Sequence, residues 1–323
     1  MALLEIRALS VGFETPAGRV TAVSGVDLEI GVGECVAVVG ESGSGKSQTL
    51  LACTGLLAMN GHATGSVRFD GRELLGLRER ELQRLRGPGI GYVFQDALGS
   101  LTPHLRVGEQ LVEALRSHRD TDGATALAEA RRMLERVHVP DAAARLRQYP
   151  HELSGGTRQR VAIAAALMPQ PRLLIADEPT TALDVTVQAQ VVELFRELRR
   201  ELDMALVIVT HDLGVVAGLA ERVAVMYAGR VVEQGPAIAV FAAPAHPYTA
   251  GLLAALPRLD DDTSVPMRTI PGVPPRPGER SGGCAFAPRC GRRAGDCDEQ
   301  PPELSGSGPQ RAACHHPLRA EAP

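Results

Sequence analysis

Gly40-Glu41-Ser42-Gly43-Ser44-Gly45-Lys46-Ser47 places glycines, one lysine and a terminal hydroxyl at the spacing of a phosphate-binding loop. The glycines let the backbone wrap an anion with its amide hydrogens pointing inward, and a helix starting at the loop's end adds a favourable field. In that pattern Lys46 neutralises β- and γ-phosphates and the Ser47 hydroxyl binds magnesium. The context fits. Glu34–Val39 is a short apolar run of the buried-strand type, and residues 47–57 read as a helix. Lys46 is also the only lysine among 34 Lys+Arg. A composition bias can replace lysine wherever either cation serves, but not where a compact ammonium on a flexible stem is required.

A second set of polar residues lies at strand ends. Leu173-Leu-Ile-Ala-Asp177-Glu178 puts two carboxylates after an apolar strand. Asp177 suits magnesium held through water. Glu178 suits a general base that polarises an attacking water, worth roughly 10²–10⁴ in rate. His211 ends the strand Ala205–Thr210, where it can reach a γ-phosphate. Gln95 ends the strand Gly91–Phe94, and by itself reads as a loop glutamine. Ser154-Gly155-Gly156 precedes a helix over 157–167 and forms a second anion-binding terminus. One nucleotide does not need two separate cradles on one subunit, so the economical reading is a dimer in which Ser154–Gly156 caps the partner's nucleotide.

Positioning these residues requires alternating strands and helices. Leu3–Val11 and Val20–Ile30 alternate in polarity, and residues 1–95 read as mostly strand. Residues 105–150 carry apolar positions at helical spacing. Helix 157–167, strand 173–176, helix 187–201 and strand 205–210 predict a parallel sheet with helices on its faces. Hydrophobic residues at 44% and charged residues at 22% allow a large core. The net charge of −4 argues against nucleic acid as a partner. The longest clean apolar stretch, Val161–Met168, is far too short to span a bilayer, and the N-terminus lacks the pattern of a signal peptide. A cytosolic chain whose membrane role comes through partners is the expectation.

Taken together, the motifs G-E-S-G-S-G-K-S, Gln95, L-S-G-G, L-I-A-D-E, Ala182-Leu183-Asp184 and His211 resemble those of ATP-binding-cassette ATPases in order and spacing, over roughly residues 3–255. The resemblance implies an α/β fold of the P-loop NTPase cassette type, with a helical subdomain over about 96–160 inside a cassette of residues 1–240. It implies that Phe13 stacks on adenine and that Gln48 joins the loop in binding ATP. It further implies that Gln95 senses the γ-phosphate and the magnesium held by Ser47 and Asp177, and that Asp184 links the two sites of a dimer. The signature helix carries Thr157 where Met or Gln is frequent. Gln95-Asp-Ala-Leu-Gly-Ser-Leu-Thr-Pro103, with Ala97 in place of the usual Pro, and Ala245-His-Pro-Tyr-Thr-Ala-Gly-Leu-Leu253 resemble the oligopeptide/dipeptide/nickel importer ATPases. That resemblance implies import of di- or oligopeptides, or alternatively of nickel or another small solute. The implied partners are a second, related but different cassette chain, two membrane-spanning permease subunits and an extracytoplasmic binding protein. The implied location is the cytoplasmic face of the membrane. A soluble DNA-repair or chromosome-type ATPase is the reading from another class. It needs a long insertion between the glutamine and the signature, where this chain has only residues 96–152.

The composition changes near Phe241. Residues 241–323 hold 14 of 23 prolines and four of six cysteines, which predicts either a loop-rich extension that needs staples or a partly disordered tail. Cys35 and Cys53 read as ordinary buried thiols. Cys284, Cys290, Cys297 and Cys314 are irregularly spaced, and a reducing cytosol disfavours disulfides among them. Four thiolates suit a [4Fe–4S] cluster, to which the importer resemblance also points. Zinc, with His315 or His316 completing a Cys₃His set, and free thiols are the alternatives.

Overall fold

The computed structural model describes residues 2–181, 183–256, 269–276, 278–279 and 282–318, apart from the side chains of residues 97, 98 and 215. Ala182 of the Ala-Leu-Asp motif therefore lies outside the described residues. In chain order the cassette region runs β1 (Ala2–Thr15), β2 (Gly18–Gly31), β3 (Cys35–Val39), α1 (Lys46–Thr54), β4 (Gly61–Phe69), β5 (Arg72–Glu73), α2 (Glu79–Leu85) and β6 (Ile90–Val93). It continues α3 (Ala97–Ser100), α4 (Val107–Arg116), α5 (Gly123–Arg136), α6 (Ala142–Arg145), α7 (Gly155–Leu167), β7 (Leu173–Asp177), α8 (Val185–Leu202), β8 (Ala205–Thr210), α9 (Leu213–Ala217), β9 (Arg222–Tyr227) and β10 (Arg230–Pro236). Then come α10 (Ala237–Ala242), α11 (Pro247–Ala254), two short 3₁₀ turns at Ala287–Arg289 and Gly295–Asp298, and β11 (Arg311–Ala312).

These elements pack as two compact units. One comprises Leu4–Glu29, Val36–Phe69 and Thr210–Pro323. In it β1 pairs antiparallel with β4, β3 runs parallel to β9, and β9, β10 and β11 are antiparallel neighbours. Every residue of β3 is buried, as the apolar run predicts. Helix α1 stops at Thr54 rather than at Leu57 because Gly55 turns left-handed at φ 64° and its N–H bonds back to the helix's last carbonyls. Strand β4, which sequence periodicity did not single out, reads weakly because only two of its nine residues, Val67 and Phe69, are buried.

The other unit comprises Met1–Leu3, Ile30–Cys35 and Asp70–Val209. Strands β6, β7 and β8 are parallel and in register, Val93 opposite Ala176 and Ala176 opposite Ile208. β7 and β8 are buried along their whole length. Helix α8 turns Val191, Leu194, Phe195 and Leu198 inward at three- and four-residue spacing. Its N-terminus is Val185 and not Val187, because Asp184 caps it by accepting the Val187 N–H at 3.0 Å. Residues 105–150 form the expected helices. Asp122 caps α5 through bonds from the Ala124 and Thr125 N–H groups, and the gained partners hold its carboxyl below the usual range.

Candidate functional site

The loop after β3 needs glycine where it bends. Gly40 has φ 153°, and a β-carbon there would sit 2.2 Å from the Met226 carbonyl oxygen. Gly45 has φ 100°, and a β-carbon on it would lie 2.9 Å from the Ala22 carbonyl oxygen. Gly43, at φ 79°, meets nothing and serves the turn alone. The Lys46 ammonium is 4% exposed and donates to the Gly40 carbonyl at 2.8 Å and the Glu41 carbonyl at 3.0 Å. It therefore lies folded across the loop's backbone. The Ser44 hydroxyl is buried and has no hydrogen-bond partner among the described residues. A buried donor left without an acceptor, beside a lysine at a helix N-terminus, fits an anion such as phosphate. Ser47 and Gln48 follow in the first turn of α1, partly exposed, while Ser42 and Gly43 face solvent. Phe13, on β1 opposite Gly61, is half-buried, and its ring leaves only 2.8 Å to a β-carbon on that glycine. His211 is exposed at the end of β8, next to Asp212, which caps α9 through the Gly214 N–H.

In the other unit the carboxylates of the Asp-Glu pair differ in surroundings. Asp177 is buried and accepts the Tyr92 hydroxyl at 2.8 Å, so β6 orients a carboxylate on β7. Glu178 leaves the strand with φ 46°, a left-handed conformation that is costly for a side-chain-bearing residue and characteristic of functional sites. Its N–H bonds to the Val209 carbonyl. Its Oε2 accepts from Gln95 Nε2 at 2.9 Å and from the Thr181 hydroxyl at 3.0 Å. Gln95, a loop residue by local sequence, is thus brought to the carboxylate. Tyr92 and Thr181 are partners that sequence reasoning missed, since tyrosine within a strand and threonine in a turn carry no distinctive spacing.

Ser154 caps α7. Its hydroxyl accepts the Thr157 N–H at 3.3 Å and exchanges a 2.9 Å bond with the Thr157 hydroxyl. Gly155 meets nothing around it, whereas a β-carbon on Gly156 would lie 3.0 Å from Val187 of α8. Two helix N-termini, one capped by Ser154 and one by Asp184, therefore pack side by side, with both caps exposed. A β-carbon at 156 would need Val187 to give by a few tenths of an ångström.

The described residues of the extension pack around buried polar groups. Glu233 is wholly buried and accepts from the Ala245 and His246 N–H groups and from Gln310 Nε2. His246, also buried, accepts the Tyr248 N–H on Nδ1, and burial pushes its pKa down to about 4. Cys284, Cys290, Cys297 and Cys314 are all free, and together with His315 and His316 they line one small cavity. Burial raises the Cys284 thiol and pushes Cys314 up to about 11, and repulsion from neighbouring cysteines adds to both. Four thiols converging on one small cavity fit a cationic centre that would hold them as thiolates. Asp296, Cys297 and His316 also bring donor atoms within 4.8 Å of one another, and His316 Nε2 is 2.8 Å from Asp296. Cys35 and Cys53 are buried as expected, and burial pushes Cys53 up to about 12.

Comparison with known proteins bears on both parts of the chain. Residues 23–181 match the family described as ABC transporter, and residues 232–297 match the oligopeptide/dipeptide transporter C-terminal region. The chain is 52% identical to the oligopeptide transport ATP-binding protein OppD of Salmonella typhimurium, over 98% of this chain and 94% of the relative. It is 51% identical to the OppD protein of Escherichia coli, with the same coverage of both. A solved dimeric, post-hydrolysis structure of the ATP-binding cassette MJ0796 bound to ADP and phosphate is 30% identical, with a TM-score of 0.65, covering 72% of this chain and 98% of that one. Among the described residues no helix is long and apolar enough to cross a membrane.

Proposed function

Since this chain belongs to the ABC transporter family of ATPases, we propose that it is the ATP-hydrolysing subunit of an importer of di- or oligopeptides. The similarity to oligopeptide transport proteins through both the cassette and the extension carries this reading. The cassette is taken as residues 1–240, with a helical part over about 96–160, and the extension as 241–323.

In this reading Gly40–Gln48 receive the phosphates of ATP, with Lys46 neutralising them, and Phe13 supports adenine. Ser47, Gln95 and Asp177 would hold magnesium, which supplies charge neutralisation at the phosphates. Glu178 takes the proton of the attacking water, while Gln95 and Thr181 hold its side chain in place. His211 contacts the γ-phosphate. Ser154, Gly155, Gly156 and Asp184 serve the nucleotide of a partner cassette, a related but different chain. Their exposed, adjacent helix N-termini support that role, because an anion can reach them only from outside the unit. Two permease subunits and an extracytoplasmic binding protein complete the importer, and the ATPase works at the inner face of the membrane. Reconstitution with these subunits in liposomes tests the cargo. Stimulation of ATP turnover and uptake by di- or oligopeptides is expected, and stimulation by nickel alone would overturn the peptide assignment.

Ser154→Ala should leave nucleotide binding by the isolated chain intact and impair hydrolysis in the assembled complex by roughly 10²–10³, the scale of one lost anion-stabilising donor. Calorimetric titration of the lone chain and turnover of the complex separate the two effects. Lost binding in the lone chain would contradict the partner role.

The four convergent thiols support a [4Fe–4S] cluster held by Cys284, Cys290, Cys297 and Cys314. Its chemistry there would be to cross-link a segment that has little apolar core of its own. Anaerobic purification should give a brown protein with iron and sulfide in equal amounts. A colourless protein with one zinc per chain would replace the cluster with the zinc alternative.

A further inference from the structure

Glu41, the second residue of the phosphate loop, is gripped from the C-terminal extension at two points. Its backbone N–H donates to the Tyr248 hydroxyl at 2.9 Å. Its carboxylate accepts a bidentate pair from Arg289, Nη1 to Oε2 at 2.8 Å and Nη2 to Oε1 at 3.0 Å. Arg289 is only 8% exposed and is itself fixed. Its Nε donates to the Pro271 carbonyl at 2.9 Å, and Nη1 also reaches the Tyr227 hydroxyl at 3.3 Å. Bidentate, largely buried pairs of this kind set geometry more than they add stability. The peptide whose N–H Tyr248 holds carries the Gly40 carbonyl as its other polar atom, and that carbonyl and the Glu41 carbonyl both accept from the Lys46 ammonium.

We propose that Arg289 and Tyr248 are positioning residues of the phosphate loop, so that the extension completes the nucleotide site through Glu41. The proposal rests on the reading of Gly40–Ser47 as the nucleotide loop. Three left-handed glycines make that loop loose by itself. Order imposed beforehand by the extension is order that the nucleotide need not supply on binding. Neither residue touches reacting atoms in this scheme, so the effect falls on nucleotide affinity and on KM for ATP rather than on kcat.

The test is calorimetric titration of the full-length chain with ATP and magnesium, beside steady-state turnover of the assembled transporter. Arg289→Ala should weaken binding about tenfold, and Tyr248→Phe, which keeps the ring and removes one acceptor, about threefold. Glu41→Gln combined with Arg289→Ala should be no weaker than Arg289→Ala alone, because both break the same link. KM for ATP should rise by the same factors, with kcat within about twofold. Unchanged affinity in either folded single variant overturns the proposal, as do losses that multiply in the double variant. Should Arg289→Ala fail to fold, Tyr248→Phe alone decides. Lys46→Ala in the same titration keeps the two readings apart. Its loss of binding upholds the nucleotide loop whatever Arg289 does, and its normal binding would remove the loop reading and the proposal together.

Discussion

Glu178→Gln should bind ATP normally and lose steady turnover by roughly 10²–10⁴, the range for removing a general base. The surroundings of Glu178 make the outcome specific. Gln95 and Thr181 both present donors to Oε2, so glutamine must place its amide oxygen there. The amide nitrogen then takes the position of Oε1, and an NH₂ group cannot accept a proton. The left-handed backbone at 178 and its bond to the Val209 carbonyl are untouched by the change, so the fold should be unaffected. With hydrolysis blocked, two cassettes should remain closed on ATP, visible as a stable dimer by size-exclusion chromatography. The same substitution in the partner cassette gives the clean measurement. Turnover within a few-fold of the parent would falsify the assignment of Glu178 as base.

Lys46→Arg should cost nucleotide affinity about a hundredfold although the charge is kept, because a fork-shaped group replaces a point charge in a closely fitted site. The ammonium is buried and held by two carbonyls at 2.8 and 3.0 Å, which leaves little room for a wider planar guanidinium. Titration of the isolated chain with ATP checks it, alongside a melting curve to show that the variant folds. The same misfit accounts for the survival of a single lysine in a chain whose other basic residues are all arginine. Unchanged affinity would mean that the loop does not discriminate the two cations.

Local residue types determined much of this protein. The phosphate loop is written in eight consecutive positions, and its chemistry needs little beyond a strand before it and a helix after it. The β7 and β8 strands were legible because a buried parallel strand is apolar along its whole length. Ser154 stands directly before a helical pattern, and its cap is a bond between residues three apart, whereas the cap at Asp184 became visible only in the structure. Helix ends were less legible. Gly55 stops α1 early through its φ, which a periodic pattern does not encode.

Only the tertiary structure decided which distant residues support these groups. Gln95 meets Glu178 and Tyr92 meets Asp177 because β6 lies in register beside β7, and register is a property of the sheet rather than of either segment. Gly156 against Val187 brings two caps together across two helices. The extension shows the limit most clearly. Its prolines and scattered cysteines announced a segment unable to form long helices or central strands. Its described residues are instead held by Glu233, buried under three donors, and by Arg289, whose guanidinium closes on a residue 248 positions earlier. A buried charge finds its partner through the folded chain, where desolvation makes an unpaired ion intolerable. Nothing in the neighbouring sequence of either residue marks the pairing, so only the fold could reveal it.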